Sequence, residues 1–109
     1  MIKNLTPHAV VICGQTFPPS GELARVAVTL APAKTASHWH EADGVEIPLV
    51  SGTYGQVTGL PGPEDDVLYI VSALVRCACP DRKDLGSPAK LVRDAAGNIV
   101  GCEALEVNP

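Results

Sequence analysis

Three arginines stand where strands or a short helix should end: Arg25, Arg82 and Arg93. A guanidinium is a planar fork that donates two parallel hydrogen bonds, a geometry suited to phosphate. Ser72 precedes a short helical pattern running from Ala73 to Cys79. Its hydroxyl, with the free N–H groups of the turn it opens, adds a further contact for an anion. Tyr54 and Tyr69, with Trp39 and Phe17, are the flat side chains on which a base could stack. The set points to recognition of a small phosphorylated ligand. A plainer reading stands beside it, because Arg82 with Asp84 and Arg93 with Asp94 also suit surface ion pairs of little energetic weight.

Other chemistries fit less well. His38-x-His40 and Cys77-x-Cys79 offer the residue types that zinc accepts. Their spacing is wrong for the usual structural sites, and helical residues two apart point about 200° from each other. No metal site is assigned. The chain lacks the nucleophile elbow, the zinc-protease helix and any familiar cysteine-protease setting, so no catalytic residues and no cofactor are assigned either. Its glycines are too dispersed for a phosphate-cradling loop. Cys13 and Cys102 lie in apolar runs and read as small buried side chains, and Glu64-Asp65-Asp66 reads as a solvated turn.

Composition narrows the partners. The chain has 109 residues, 46% of them hydrophobic, which suits one domain, 1–109, with a true core. Aromatics are only 4%, so Ala, Val and Leu must fill most of it. A net charge of −4 with dispersed cations argues against long nucleic acids. The start lacks the pattern of an export signal, and no apolar run approaches the ~20 residues of a membrane span. A cytoplasmic protein with reduced thiols is expected.

Ten Gly and ten Pro favour short strands and turns. Strands are expected over His8 to Cys13, Leu23 to Leu30, Val45 to Val50, Thr53 to Thr58 and Val67 to Val71. In the second, Ala24, Val26, Val28 and Leu30 form an apolar face expected to meet the core, with Arg25 on the opposite face. Ala31 to Gly44 reads as a long loop or loose hairpin arm, and Asp81 to Pro88 as a charged loop. Ser72 should cap a helix that Pro80 ends. Leu91 to Asp94 and Asn98 to Val107 bracket a hairpin turn. The fold class expected is α+β: a predominantly antiparallel sheet, curled toward a partial barrel, with one short helix.

One ordered series covers nearly the whole chain. It runs from Asn4-Leu5-Thr6-Pro7-His8 through Pro19-Ser20-Gly21-x-x-Ala24-Arg25-Val26 to Tyr54-Gly55-x-Val57-x-Gly59-Leu60-Pro61. It continues in Tyr69-Ile70-Val71-Ser72, Arg82-x-Asp84-Leu85 and Leu91-Val92-Arg93-Asp94-x-x-Gly97-x-Ile99-x-Gly101-Cys102. The series resembles a group of small phage and prophage proteins. In size and arginine placement the chain is similar to the viral sponge proteins of the first Thoeris anti-defence family. The resemblance implies sequestration, without cleavage, of a cyclic nucleotide immune signal such as glycocyclic ADP-ribose, or of a CBASS-type cyclic oligonucleotide, in the bacterial host cytoplasm. It also implies a homo-oligomer, dimer or higher, with pockets between protomers and with Arg25 and Arg93 on phosphate. The family's stacking aromatic and ribose-binding amide have no assigned position on this chain. The alternative is a phage structural or interaction module in which these motifs are turn and packing determinants.

Overall fold

A computed structural model describes residues 1–32 and 39–109, with backbone alone at 39, 40 and 42. The elements in chain order are β1 (Ile2–Asn4), β2 (Val10–Ile12), β3 (Gln15–Phe17), β4 (Arg25–Pro32), β5 (Trp39–Ala42), β6 (Val45–Pro48), β7 (Val50–Thr58), β8 (Leu68–Ile70), α1 (Ala73–Ala78), β9 (Leu85–Arg93) and β10 (Ile99–Val107). They separate into two compact units, Met1–Val26 with Val57–Pro109, and Ala27–Gln56. Nothing in residue type marks either junction.

In the first unit, six strands form one sheet in the order β1-β8-β9-β10-β2-β3. It curls into a nearly closed barrel, as expected, but its pairing corrects the sequence reading. The sheet is mixed, not predominantly antiparallel: β1 with β8, β8 with β9, and β10 with β2 run parallel. Only β9 with β10 and β2 with β3 are antiparallel hairpins within it. The reason is connectivity. Strong turn signals mark the two hairpins, whereas parallel neighbours need a crossover. Here α1 is the crossover between β8 and β9.

Why α1 forms is legible in its flanks. The Ser72 hydroxyl accepts from the Val75 N–H at 3.3 Å, satisfying one donor of the first turn. Pro80 follows the cap residue Cys79 and ends the helix. Val75 from α1, Tyr69 from β8, and Leu5, Val71 and Leu85 make the buried core, edged by Ala24, Val26, Val57 and Leu60.

One residue bridges the two ends of the sheet. Asn4 is 2% exposed, and its amide donates to the carbonyls of His8 at 2.8 Å and Phe17 at 2.9 Å. Its Oδ1 accepts from the Thr6 N–H and hydroxyl, an Asx turn. The Ser20 N–H adds a bond to the Asn4 carbonyl. These contacts tie β1, one end of the sheet, to the end of β3, the other.

Strand β9 begins earlier than expected, at Leu85, and absorbs part of the segment read as a charged loop. Leu85, Gly86 and Ser87 are all buried. Gly86 is needed there because a Cβ would stand 3.1 Å from that of Leu105. Cys102 is buried, whereas Cys13 is exposed and has a φ of 50°. Its place is the turn between β2 and β3, so it is not the buried side chain that the apolar run suggested. All four cysteines are free thiols.

In the second unit, β5 and β6 make a hairpin and β4 and β7 pair as a separate two-stranded sheet. The hairpin turns at Asp43 and Gly44, both with positive φ (52° and 78°), the backbone of a type I′ turn. Of the segment read as a long loop or loose hairpin arm, Trp39–Ala42 is one arm of a hairpin, while 33–38, His38 included, lie outside the described residues. The apolar face assigned to Leu23 to Leu30 also needs correction. Ala24 and Val26 pack against the core, but Val28 and Leu30 are 44% and 65% exposed. Beyond Val26 the strand leaves the first unit, and its alternation continues without a core to face. Among the described residues no helix is long and apolar enough to cross a membrane.

Two stability outcomes are expected. Asn4→Ala removes the partner of the Phe17 carbonyl and of the Thr6 N–H, while the His8 carbonyl keeps the Thr6 hydroxyl, and should cost about 1–3 kcal/mol in urea denaturation, the range for leaving a polar group without its partner. Gly59→Ala should be at least as severe. Gly59 has a φ of +79°, and a Cβ there would overlap the Leu23 carbonyl oxygen; loss of a soluble, cooperatively melting protein is expected.

Candidate functional site

The clearest meeting of sequence-predicted site residues is a cleft of about 440 Å³ in the first unit. Arg25 and Ser72, 47 positions apart, both line it, with Pro7, Leu23, Val26 and Leu74 among its walls. Arg25 opens β4 and is exposed, and it has no ion pair among the described residues. Ser72 comes from the loop between β8 and α1, and its Oγ already accepts the Val75 N–H, which leaves its own hydrogen free to donate. The lining of the cleft therefore includes a guanidinium fork and a hydroxyl donor, among apolar walls that suit a flat or aliphatic ligand body. The volume falls within the ~300–1,000 Å³ common for small-molecule sites.

The other arginines are placed differently. Arg82 is engaged: its Nε and Nη2 donate side-on to the two Asp84 carboxylate oxygens, each at 2.8 Å, and Nη2 also reaches the Pro61 carbonyl at 3.0 Å. This is the ion pair of the plainer reading, extended to staple the 59–63 turn to the start of β9. The hydrogen bond from Arg82 is the main cause that holds the Asp84 carboxyl below its ordinary value of 3.8, against opposition from desolvation. The same bond raises the Arg82 pKa further, so the guanidinium stays charged. Arg93 lies at the exposed end of β9, outside the cleft, and donates to the Gly97 carbonyl at 2.9 Å. It does not pair with Asp94. That carboxylate instead accepts from the N–H groups of Ala96 and Asn98, both at 2.9 Å, and fastens the hairpin turn. The Asn98 N–H is the largest cause of its lowered pKa.

The tyrosines also part company. Tyr69 is 1% exposed, with its hydroxyl donating to the Gly62 carbonyl at 3.1 Å; it is a core residue and offers no open face for stacking. Tyr54 belongs to the second unit and is 56% exposed. The side chains of Trp39 and His40 lie outside the described residues, as does His38. Of the cysteines paired with them as ligand types, Cys77 is exposed and Cys79 packs against the core.

A second polar centre has no counterpart in the sequence reading. Arg76, on α1, is 8% exposed and donates to the Ser87 hydroxyl at 2.9 Å and to Asn108 Oδ1 at 3.2 Å. Glu106 lies 3.4 Å from its other terminal nitrogen. The Asn108 amide in turn donates to the carbonyls of Arg76, Cys79 and Arg82, closing the C-terminal end of α1. This network is structural: among the described residues no buried side-chain nitrogen or oxygen lacks a partner, and Arg76 does not line the cleft. No local signal in Val75-Arg76-Cys77 or in the terminal Asn108 could have revealed it. Asn4-x-Thr6-Pro7, by contrast, carries a readable Asx-turn signature.

The Arg82–Asp84 pair sets an acid limb on stability. With the folded carboxyl pKa depressed, the stabilisation is present above the unfolded value near 3.8 and is lost as pH falls through the lower folded value. Asp84→Asn should flatten the fall in unfolding free energy below about pH 4, as read by urea denaturation at stepped pH; an unchanged acid limb would show that the pair contributes nothing there. Comparison with known proteins adds no identity: no family profile, no curated protein and no solved structure matches this chain.

Proposed function

We propose that this chain is a binding protein, not an enzyme, and that it retains a small phosphorylated nucleotide. The most specific form of the reading is a phage anti-defence sponge. Such a protein sequesters a cyclic nucleotide immune signal, glycocyclic ADP-ribose or a related cyclic nucleotide, in the host cytoplasm without cleaving it. The observation that carries the reading is the shared cleft lined by Arg25 and Ser72, where a guanidinium with no ion pair among the described residues and a hydroxyl donor stand among apolar walls. Sequestration needs affinity without preference for a transition state, so such a site requires no acid, base or nucleophile. Arg82 is not part of the reading in this form, because Asp84 and Pro61 already engage its Nε and Nη2 and it does not line the cleft. Arg93 would contribute through a pocket completed by a second copy in a homo-oligomer.

A structural or protein-interaction module is the second reading. It is favoured by the exposed apolar side chains of the second unit, Leu30 and Val50 among them. Native mass spectrometry after incubation with a panel of cyclic nucleotides separates the two. Retained ligand, released intact on denaturation, is expected. Arg25→Ala should weaken retention by about ten- to a hundredfold, the worth of ~1.5–3 kcal/mol for a hydrogen-bonded charge, with the melting temperature nearly unchanged. A chemically converted product would mean an enzyme, and no retention of any nucleotide would leave the interaction module.

A further inference from the structure

The helix that contributes to the cleft is fixed from its far end. Ser72, Leu74 and Val75 line the cleft together with Pro7 and residues 23–26. The second group is tied to the sheet side, where the Ala24 N–H donates to the Leu5 carbonyl at 3.1 Å. The first group goes wherever α1 goes, and α1 has only six residues. A helix so short does not sustain itself in water, because each end leaves four backbone groups without intrahelical partners. Ala73, Leu74, Cys77 and Ala78 are exposed, and Val75 and Arg76 are the two buried side chains of the helix. Val75 packs in the core. The placement of α1 therefore depends on what holds Arg76 and on what meets the carbonyls at the helix end.

Asn108 does both. It is buried, and its Oδ1 accepts from the Arg76 guanidinium at 3.2 Å. Its Nδ2 lies 3.1, 2.9 and 3.0 Å from the carbonyls of Arg76, Cys79 and Arg82, so two amide hydrogens are shared among three acceptors. Two of those carbonyls already close the tight turns that follow α1: Cys79 N–H donates to Arg76 at 3.2 Å, and Arg82 N–H to Cys79 at 3.0 Å. Ser87 and Glu106 also hold Arg76, but among the described residues no other side chain bonds to these three carbonyls. We infer that Asn108 is a positioning residue for the cleft. It sets where α1 lies, and so where Ser72, Leu74 and Val75 stand, while it does not itself line the cleft. The consequence for ligand binding rests on the reading above; the placement of α1 does not.

Proton–nitrogen correlation NMR of the full chain tests it, with inorganic phosphate as the probe. In wild type, phosphate should shift the Arg25 and Ser72 amide signals. Asn108→Ala should move the Leu74 and Val75 signals before any phosphate is added. It should also weaken phosphate binding about fivefold, as for one lost hydrogen bond. Asp94→Ala, which loosens a hairpin turn outside the cleft, should do neither, and this separates displacement of α1 from general destabilisation. If Asn108→Ala fails to fold, hydrogen exchange of wild type decides instead. The Asn108 side-chain amide should then be as protected as the Val75 and Arg76 N–H groups, after correction for intrinsic rates. Unmoved Leu74 and Val75 signals, a phosphate affinity equal to that of wild type, or an Asn108 amide that exchanges freely would each overturn the inference. A wild type that ignores phosphate would count against the ligand reading alone, and the Leu74 and Val75 signals would still decide the placement of α1.

Discussion

The first unit depends on a carboxamide with all its bonds made in a place that water does not reach. Asn4 joins the carbonyls of His8 and Phe17 to the Thr6 N–H, and so makes a ring out of what would otherwise be an open sheet with β1 and β3 as its two edges. Open edges invite pairing with other chains. Strands of three residues, such as β1, β2 and β3, bring too few ladder bonds to hold such a closure alone. A buried amide with every donor and acceptor engaged is stiff and directional, and each bond strengthens the others in a low dielectric.

Much of the motif series that runs along the chain proves to be architecture. Gly59 lies against the Leu23 carbonyl, Tyr69 bonds to Gly62, Ser72 caps α1, Arg82 clamps Asp84 and Pro61, and Asp94 ties its own turn. Gly101 gives the room that Val11 needs, its absent Cβ lying 3.2 Å from the Val11 carbonyl. These residues have work to do whether or not a ligand exists. Arg25 is different, since it sits in the same series and on a cleft wall with no ion pair among the described residues. The ligand reading therefore rests more on one arginine and its serine neighbour than on three converging arginines.

Local chemistry was the legible part of the fold. The Ser72 cap, the stop at Pro80 and the Asp94–Asn98 turn all depend on residues within a few positions of one another, so sequence spacing reports them directly. The parallel pairs were not legible, because β1 meets β8 across more than sixty residues and β2 meets β10 across ninety, with no turn chemistry to announce either. Burial misled in the same way. Val28 and Leu30 alternate as faithfully as a core strand does, and periodicity cannot say whether the covering surface belongs to the same chain. At the site, residue type identified candidates, but only geometry could separate Arg25, which is open, from Arg82, which is engaged, and Tyr54 from Tyr69.

The position of β10 carries a consequence for how the molecule comes into being. It follows every other described strand in the chain, yet it sits inside the sheet between β9 and β2. On a translating ribosome the β2–β3 hairpin must therefore wait, unpaired on one side, until residues 99–107 have emerged. Most of the chain is made before its barrel can assemble, a topology that favours slow, late maturation and gives holdase chaperones a window on the nascent polypeptide.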